Sequence, residues 1–281
     1  MNKLIVNGDE ITSDINKTIN VNIKEKTDIY DVTKIEIEVL KNTELVIEYI
    51  NTGITKLDIN IKVLKNIEFK LYELREENEI KVQYKYYLEE FSNMLVNKFY
   101  DCNKIKELVL IYLNGINSEI NYNFNTISKD KQKIDLMVYH NNKNTISNIT
   151  NKAVNMLNGS MTFNITGLVY NKINDCIINQ NNRIINLNDK KCTINPILLI
   201  DENDVEANHS AIIGKFSDKE LFYLMSRGIN KEKALNLLIK GFLAIDIKSK
   251  NKIKKIIDKY WRWDYESWGF FNVKWRYYLF W

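Results

Sequence analysis

The sequence is poor in several residue types that commonly mark a functional class. Its three cysteines, Cys102, Cys176 and Cys192, are odd in number and far apart, and no CxxC pair occurs. This pattern predicts reduced thiols and not a disulfide framework. It also offers no zinc ribbon and no cysteine-only cluster site within one segment. We expect Cys102 and Cys176 to be core residues.

The motifs of common enzyme classes are missing as well. There is no GxxxxGK[ST] loop for ATP and no GxSxG nucleophile elbow. The two histidines, His140 and His209, do not assemble a catalytic triad with the scattered carboxylates. We therefore predict that the chain is not an enzyme, and that His140 is a surface or structural residue.

Long apolar runs and a strong charge imbalance are absent too. No window approaches the roughly 18 uncharged apolar residues of a membrane span, and Asp9 and Glu10 come too early for the apolar region of a signal peptide. The net charge of +4 gives no argument for a nucleic-acid partner. We predict a cytoplasmic protein, or a protein of a plastid-type stroma if the source is eukaryotic, and neither nucleic acid nor membrane is favoured as a partner.

What the sequence does contain is alternation of apolar and polar residues. Between Lys34 and Leu88 five segments follow a period of two, which predicts strands with one buried face. Shorter segments of the same kind return between residues 120 and 200, whereas residues 91–113 fit either a short helix or buried strands, with a strand favoured for 108–111. With one proline and nine glycines, this pattern is typical of a sandwich, a barrel or a β-solenoid. Periodicity does not choose among them, and no clean sequence repeat appears.

At Ser217 the apolar period becomes helical. Ser217 and Glu220 have the spacing of a capping box, and Arg227 with Gly228 predicts the end of that helix. Asn230 predicts the N-cap of a second helix that carries an apolar stripe. We expect a helical hairpin used for packing or docking, because its second helix is too poor in basic residues to read a DNA groove.

Residues 204–247 resemble the C-terminal signature of the SufB/SufD family. The shared pattern comprises His209 followed by small residues, an acidic capping turn, Leu-Phe-Tyr at 221–223, Ser-Arg-Gly-Ile at 226–229 and Gly-Phe at 241–242. Weaker similarity extends back to about Ile134. The resemblance implies a right-handed parallel β-helix with a C-terminal α-helical hairpin, and a scaffold role in iron–sulfur cluster assembly.

The resemblance also implies partners. The chain is expected to bind the ATPase SufC through the hairpin, to pair with a SufB paralogue or with a second copy of itself, and to depend indirectly on a cysteine desulfurase system. The resemblance is stronger to SufD than to SufB, because Ser210 stands where SufB typically has a glutamate. Ala207, however, replaces a cysteine often found in SufD, and the helical N-terminal domain of full-length members has no counterpart, which predicts a compact form.

Two residues are candidate ligands for iron or a nascent iron–sulfur cluster, held transiently. His209 occupies the position of the family's cluster-associated histidine, and imidazole suits iron; residue chemistry alone favours a structural histidine at the end of a sheet. Cys192 lies in the turn where SufB places its cluster cysteine, one or two residues out of register. By chemistry alone it is a small buried hydrophobe.

The resemblance assigns SufC contact to five hairpin residues. These are Leu221, Phe222, Tyr223, Arg227 and Gly228. The predicted organisation is a β-helix core at 1–210, the hairpin at 211–250 and an aromatic-rich tail at 251–281, for which protein contact, membrane-surface contact and a poorly ordered extension stay open.

Two other functions are considered. One is a β-solenoid enzyme acting on carbohydrate, since such folds often host paired carboxylates, although the only dense acidic group, at 201–206, fits a solvated turn better. The other is a non-catalytic interaction module that acts through the aromatic tail.

Overall fold

The computed structural model describes residues 2–7, 10–13, 19–24, 32–50, 56–244 and 250–262. These residues form fifteen strands and three helices. The strands are β1 (Asn2–Asn7), β2 (Glu10–Ser13), β3 (Ile19–Lys24), β4 (Val32–Val39), β5 (Thr43–Ile50), β6 (Lys56–Val63), β7 (Glu68–Leu88), β8 (Asn93–Leu113), β9 (Glu119–Ser128), β10 (Lys131–His140), β11 (Ile146–Asn155), β12 (Ser160–Val169), β13 (Cys176–Asn186), β14 (Thr193–Ile200) and β15 (Val205–Gly214). The helices are α1 (Asp218–Ser226), α2 (Lys231–Phe242) and α3 (Lys250–Arg262).

Strands β4 to β15 coil into a parallel β-solenoid of about seven turns, and at its N-terminal end β1 pairs with β2, and β3 with β4, in antiparallel fashion. Each turn places one strand in each of two facing sheets. The first sheet contains β4, β6, the C-terminal parts of β7 and β8, β10, β12 and β14; the second contains β5, the N-terminal parts of β7 and β8, β9, β11, β13 and β15. The parallel β-helix expected from the resemblance is confirmed, and so is the strand interpretation of 108–111, which lies in β8.

The solenoid turns are unequal in length, which explains why no sequence repeat is visible. Asparagine pairs on successive turns hydrogen-bond across separations of 25, 26, 27 and 31 residues. Several of the corners between the first and second sheets use a residue with positive φ, as at Asn66, Asn117 and Asn144. Because asparagine tolerates this left-handed conformation, the corners repeat in shape without a fixed period in the sequence.

The solenoid interior is mainly apolar, but it holds a cluster of charges that belongs to no predicted site. Glu73, Arg75, Lys98 and Glu107 have fully buried side chains; Arg75 Nη2 lies 2.7 Å from Glu73 Oε1, and Lys98 Nζ lies 2.7 Å from Glu107 Oε1. The Tyr84 hydroxyl donates to Glu73 at 2.6 Å. Burial favours the neutral carboxyl, but the two cations hold the pKa of Glu73 below its ordinary value. Burial lowers the pKa of Lys98, against the pull of the carboxylates.

The helical hairpin forms as predicted. Ser217 Oγ accepts a hydrogen bond from the backbone N–H of Glu220 at 3.2 Å, and the Glu220 carboxylate accepts one from the backbone N–H of Ser217 at 2.9 Å. Helix α1 ends before Gly228, which has φ of 82°. The Asn230 side chain caps α2 by accepting from the backbone N–H of Lys233. These local signals therefore set the helix bounds.

Helices α2 and α3 pack on the outer face of the second sheet, whereas α1 does not. Ile239 of α2 and Ile253, Ile256 and Ile257 of α3 are buried there. Helix α3 is also anchored by an ion pair from Lys252 to Glu48, at 2.6 Å. None of the residues of α1 is buried.

Helix α3 begins at the edge of the segment predicted to be an aromatic tail. Of the five tryptophans in that segment, Trp263, Trp268, Trp275 and Trp281 lie outside the described residues. In the described part of the chain, no helix combines the length and the apolar character that crossing a bilayer requires.

Candidate functional site

The last turn of the solenoid carries His209. Strands β14 and β15 end the two sheets, and among the described residues neither has a neighbouring strand on its outer edge. His209 pairs in register with Gln180, which pairs with Ile149, which pairs with Tyr122. The lower three residues of this column are buried, and His209 is exposed. Because aligned residues of a parallel sheet share one face, the imidazole stands over the interior column at an uncovered end.

The same end exposes apolar side chains. Ile213 pairs with the buried Ile184 and therefore shares the interior face, yet 45% of it is exposed. Leu199 of β14 is 54% exposed. On the outer face Asn208 donates to Asn179 Oδ1 at 3.3 Å, which ends a ladder of side-chain amides at the last turn. Exposed apolar area and an unpaired strand edge together are the features of a contact surface.

Cys192 lies apart from His209. It sits in the corner between β13 and β14, is half-buried and packs against the interior core. Burial raises the pKa of its thiol, which disfavours the thiolate that would bind iron. His209 lies in the middle of β15 in the second sheet, whereas Cys192 directly precedes β14 in the first sheet.

The described residues contain no group of three or more His, Cys, Asp and Glu side chains that could hold a metal ion. His209 thus stands as a single imidazole. The other two cysteines are buried, as predicted, with 0% of Cys102 and 1% of Cys176 exposed.

His140 is a buried structural residue. Its Nδ1 lies 2.7 Å from Thr145 Oγ1 and its Nε2 lies 2.9 Å from Ser147 Oγ. Thr145 Oγ1 is in turn 3.3 Å from Cys176 Sγ. Burial lowers the pKa of His140 from 6.5 to about 4, so the imidazole is neutral at pH 7.

Because His140 is buried and its pKa is lowered, we predict that the protein loses stability in mild acid. Because the folded-state pKa lies below the ordinary value, protons bind the unfolded chain first as the pH falls through 6.5. Between pH 7 and pH 5, protonation of His140 should lower the free energy of unfolding by about 2 kcal/mol. Urea unfolding of the wild type and of His140→Gln over this range would test it, since the variant should lack that share of the slope. Parallel curves would contradict the prediction.

Most of the hairpin residues assigned to partner contact are exposed in the described part of the chain. Phe222 is 73% exposed and Tyr223 is 59% exposed; Leu221 is half-buried, and Arg227 and Gly228 are exposed. The Arg227 guanidinium lies 5.5 Å from the ring of Tyr223.

Two residues that the sequence did not single out for contact, Met225 and Leu237, are 43% and 47% exposed on the same hairpin. Phe222, Tyr223, Met225 and Leu237 form what we call the hairpin patch. Their apolar side chains at helical spacing could have indicated it, but only the structure shows that they are exposed.

The acidic residues at 201–206 accept hydrogen bonds that stabilise a turn. The Glu202 carboxylate accepts hydrogen bonds from the backbone N–H groups of Lys172 and Asn203, each at 2.8 Å. The backbone carbonyl of Asp204 accepts from Asp175 at 2.7 Å. These contacts favour the solvated-turn interpretation over that of paired catalytic carboxylates.

Comparison with known proteins adds the remaining finding. A family model described as the SUF system FeS cluster assembly SufBD core domain matches residues 23–242. Among curated relatives, the iron–sulfur cluster assembly protein SufD of Bacillus subtilis (strain 168) is 45% identical over 86 residues, which are 30% of this chain and 20% of that protein. An iron–sulfur cluster assembly SufBD family protein of Pyrococcus horikoshii is 48% identical over 67 residues, 22% of this chain and 15% of that protein. The matched segments thus span a fifth or less of the length of these relatives.

Proposed function

The chain belongs to the SufBD family of the SUF system for iron–sulfur cluster assembly, and from this premise we propose that it is a non-enzymatic, SufD-like scaffold subunit. It would work in the cytoplasm with the ATPase SufC. The observation that carries the proposal is the hairpin patch, because Phe222 and Tyr223 are large aromatic side chains that are 73% and 59% exposed on a helix with no buried residue. Exposed aromatics of this kind anchor protein interfaces.

Motion of a bound SufC would reach the last turn of the solenoid over a short path. Three residues, 215–217, link the end of β15 to the start of α1. Helix α2, by contrast, is held on the second sheet by Ile239 and Leu243, which are buried. We expect α1 to move with the ATPase and to pull on β15, the strand that bears His209.

A SufB paralogue or a second copy of this chain would cover the open end of the solenoid. The exposed apolar residues there, such as Ile213, support an occupant, and the free edge of β15 can accept a strand. Iron or a nascent cluster is the cargo in this scheme. One imidazole supplies only one of the several ligands that iron takes, so the partner would supply others. Cys192 is a second candidate that would have to approach from its corner. The sulfur would come indirectly from a cysteine desulfurase system.

Replacing His209 tests the cargo site. When the chain is co-produced with its SUF partners, His209→Ala should lower the iron and sulfide recovered in the complex at least about fivefold, because one direct ligand is lost. The melting temperature should stay within about a degree, since the side chain is exposed.

The matched control is Asn208→Ala, which changes the neighbouring exposed residue on the opposite face of β15. It should retain the wild-type yield. An unchanged yield in His209→Ala, or an equal loss in both variants, would remove His209 from the proposal.

A further inference from the structure

A cleft of about 280 Å³ lies on the outer face of the second sheet, beside the C-terminal end of α2. Its lining includes Asn123, Thr150, Lys152 and Ala244. Except for Leu95 and Ala244, every lining residue is polar. The lining therefore combines neutral polar side chains with one cation, Lys152.

A second cation stands beside the cleft. Lys152 of β11 and Arg183 of β13 are register partners on adjacent strands, about 4.8 Å apart along the sheet. Both are half-buried. Their charged groups lie 5.6 Å and 5.4 Å from the ring centroid of Phe242. The Nε of Arg183 is buried and has no hydrogen-bond partner.

These cations form no ion pair with a carboxylate in the described part of the chain. Glu220 is the acidic residue whose charge interacts with Arg183, but its carboxylate already accepts hydrogen bonds from Ser217. Burial, and then repulsion from Arg183, lowers the pKa of Lys152.

Two contacts within the chain offset part of the free energy that it costs to hold Lys152 and Arg183 side by side and half-buried. The ring of Phe242 attracts both cations, and the carbonyl groups at the end of α2 carry partial negative charge. The Asn125 amide donates to the carbonyl of Leu243 at 3.0 Å and so helps to hold this helix end. Among the described residues no carboxylate forms an ion pair with either of these adjacent, partly desolvated cations, so part of their charge is uncompensated there.

We propose that this cleft binds a small tetrahedral oxyanion, phosphate or sulfate, either free or as the terminal group of a small metabolite. Lys152 and Arg183 supply the charge, while the Thr150 hydroxyl and the second amide N–H of Asn123 and of Asn125 supply neutral donors. Charge-assisted hydrogen bonds to both cations hold the anion. Because the cations contact Phe242, the bound anion also fixes the end of α2 against the sheet. This inference does not depend on the proposed scaffold role.

The test is titration of the full chain with inorganic phosphate at constant ionic strength, balanced with sodium chloride. Isothermal calorimetry should give saturable binding, and the melting temperature should rise by about 3 °C at saturation. Lys152→Met and Arg183→Gln should each weaken the affinity at least tenfold, while Lys152→Arg should retain it. Lys81→Met, an exposed lysine on the first sheet, is the matched control and should bind as the wild type does.

The titration distinguishes phosphate binding from a purely structural role of the two cations. If the cations serve only to complement the end of α2, Lys152→Met lowers the melting temperature equally with and without phosphate and the wild type shows no saturable binding, which overturns the proposal. An effect that sodium chloride reproduces also overturns it. Tighter binding of pyrophosphate than of phosphate would assign the site to the phosphate group of a metabolite, and equal binding would assign it to the free anion.

Discussion

Replacing Phe222 with aspartate should weaken SufC binding at least about 100-fold, or about 2.7 kcal/mol, and leave the chain folded. Phe222 is 73% exposed and belongs to a helix with no buried residue, so its removal costs little stability. A carboxylate in its place would be buried without a partner in the complex, which carries a desolvation penalty. Titration of the cognate SufC against the purified variant measures the effect, and its melting temperature confirms the fold.

The matched control is Phe91→Asp. Phe91 is 50% exposed in the turn between β7 and β8, and its backbone has φ of 55°, which aspartate accepts. This variant should bind SufC as tightly as the wild type does. Wild-type affinity in Phe222→Asp would remove the hairpin patch as the docking surface, and equal losses in both variants would point to non-specific association.

Replacing Lys98 with methionine should cost about 3–5 kcal/mol of unfolding free energy. The side chains of Lys98 and Glu107 are both 0% exposed, and their charged groups lie 2.7 Å apart. Without the lysine, the Glu107 carboxylate is left in the interior with the Tyr122 hydroxyl as a donor, at 3.3 Å. Urea unfolding at pH 7 measures the loss.

Two further variants separate the buried charge from other causes. Adding Glu107→Gln to Lys98→Met should restore most of the loss, because the unpaired charge disappears. Lys65→Met breaks the exposed pair with Glu90 and should change stability by less than about 1 kcal/mol. If the free energy of unfolding of Lys98→Met lies within about 1 kcal/mol of that of the wild type, the prediction that this buried ion pair is needed for stability is wrong.

The strands were predictable where only one face is buried. In β6 and in the C-terminal part of β7, buried and less buried residues alternate regularly, and the sequence alternates with them. In β8, residues 98–102 are all buried, because the interior covers one face and the helical layer covers the other. The alternation disappears there, which is why residues 91–113 fitted two interpretations.

The helices, like the strands, were predictable only where local residues determine them. Ser217 and Asn230 cap α1 and α2 through hydrogen bonds to residues three positions later. Because these contacts are local, a sequence pattern is enough to predict where the two helices begin. Helix α3 carries a basic run and buries one narrow stripe, including Ile253 and Ile257. Its position depends on a sheet face assembled from strands more than 100 residues earlier, as the hydrogen bond from Lys129 to Tyr260 illustrates.

By itself the sequence determined the strand periodicity, the two helix caps and the family signature around His209, because each depends on residues a few positions apart. The tertiary structure alone decided that His209 lies on the last described turn, that Lys98 lies beside Glu73, and that Lys152 lies beside Arg183. The physical reason is the coiling of the chain: residues some 25 to 31 positions apart are brought within about 4.8 Å of each other across adjacent strands. Charges and faces that are unrelated along the chain become neighbours only when the turns stack.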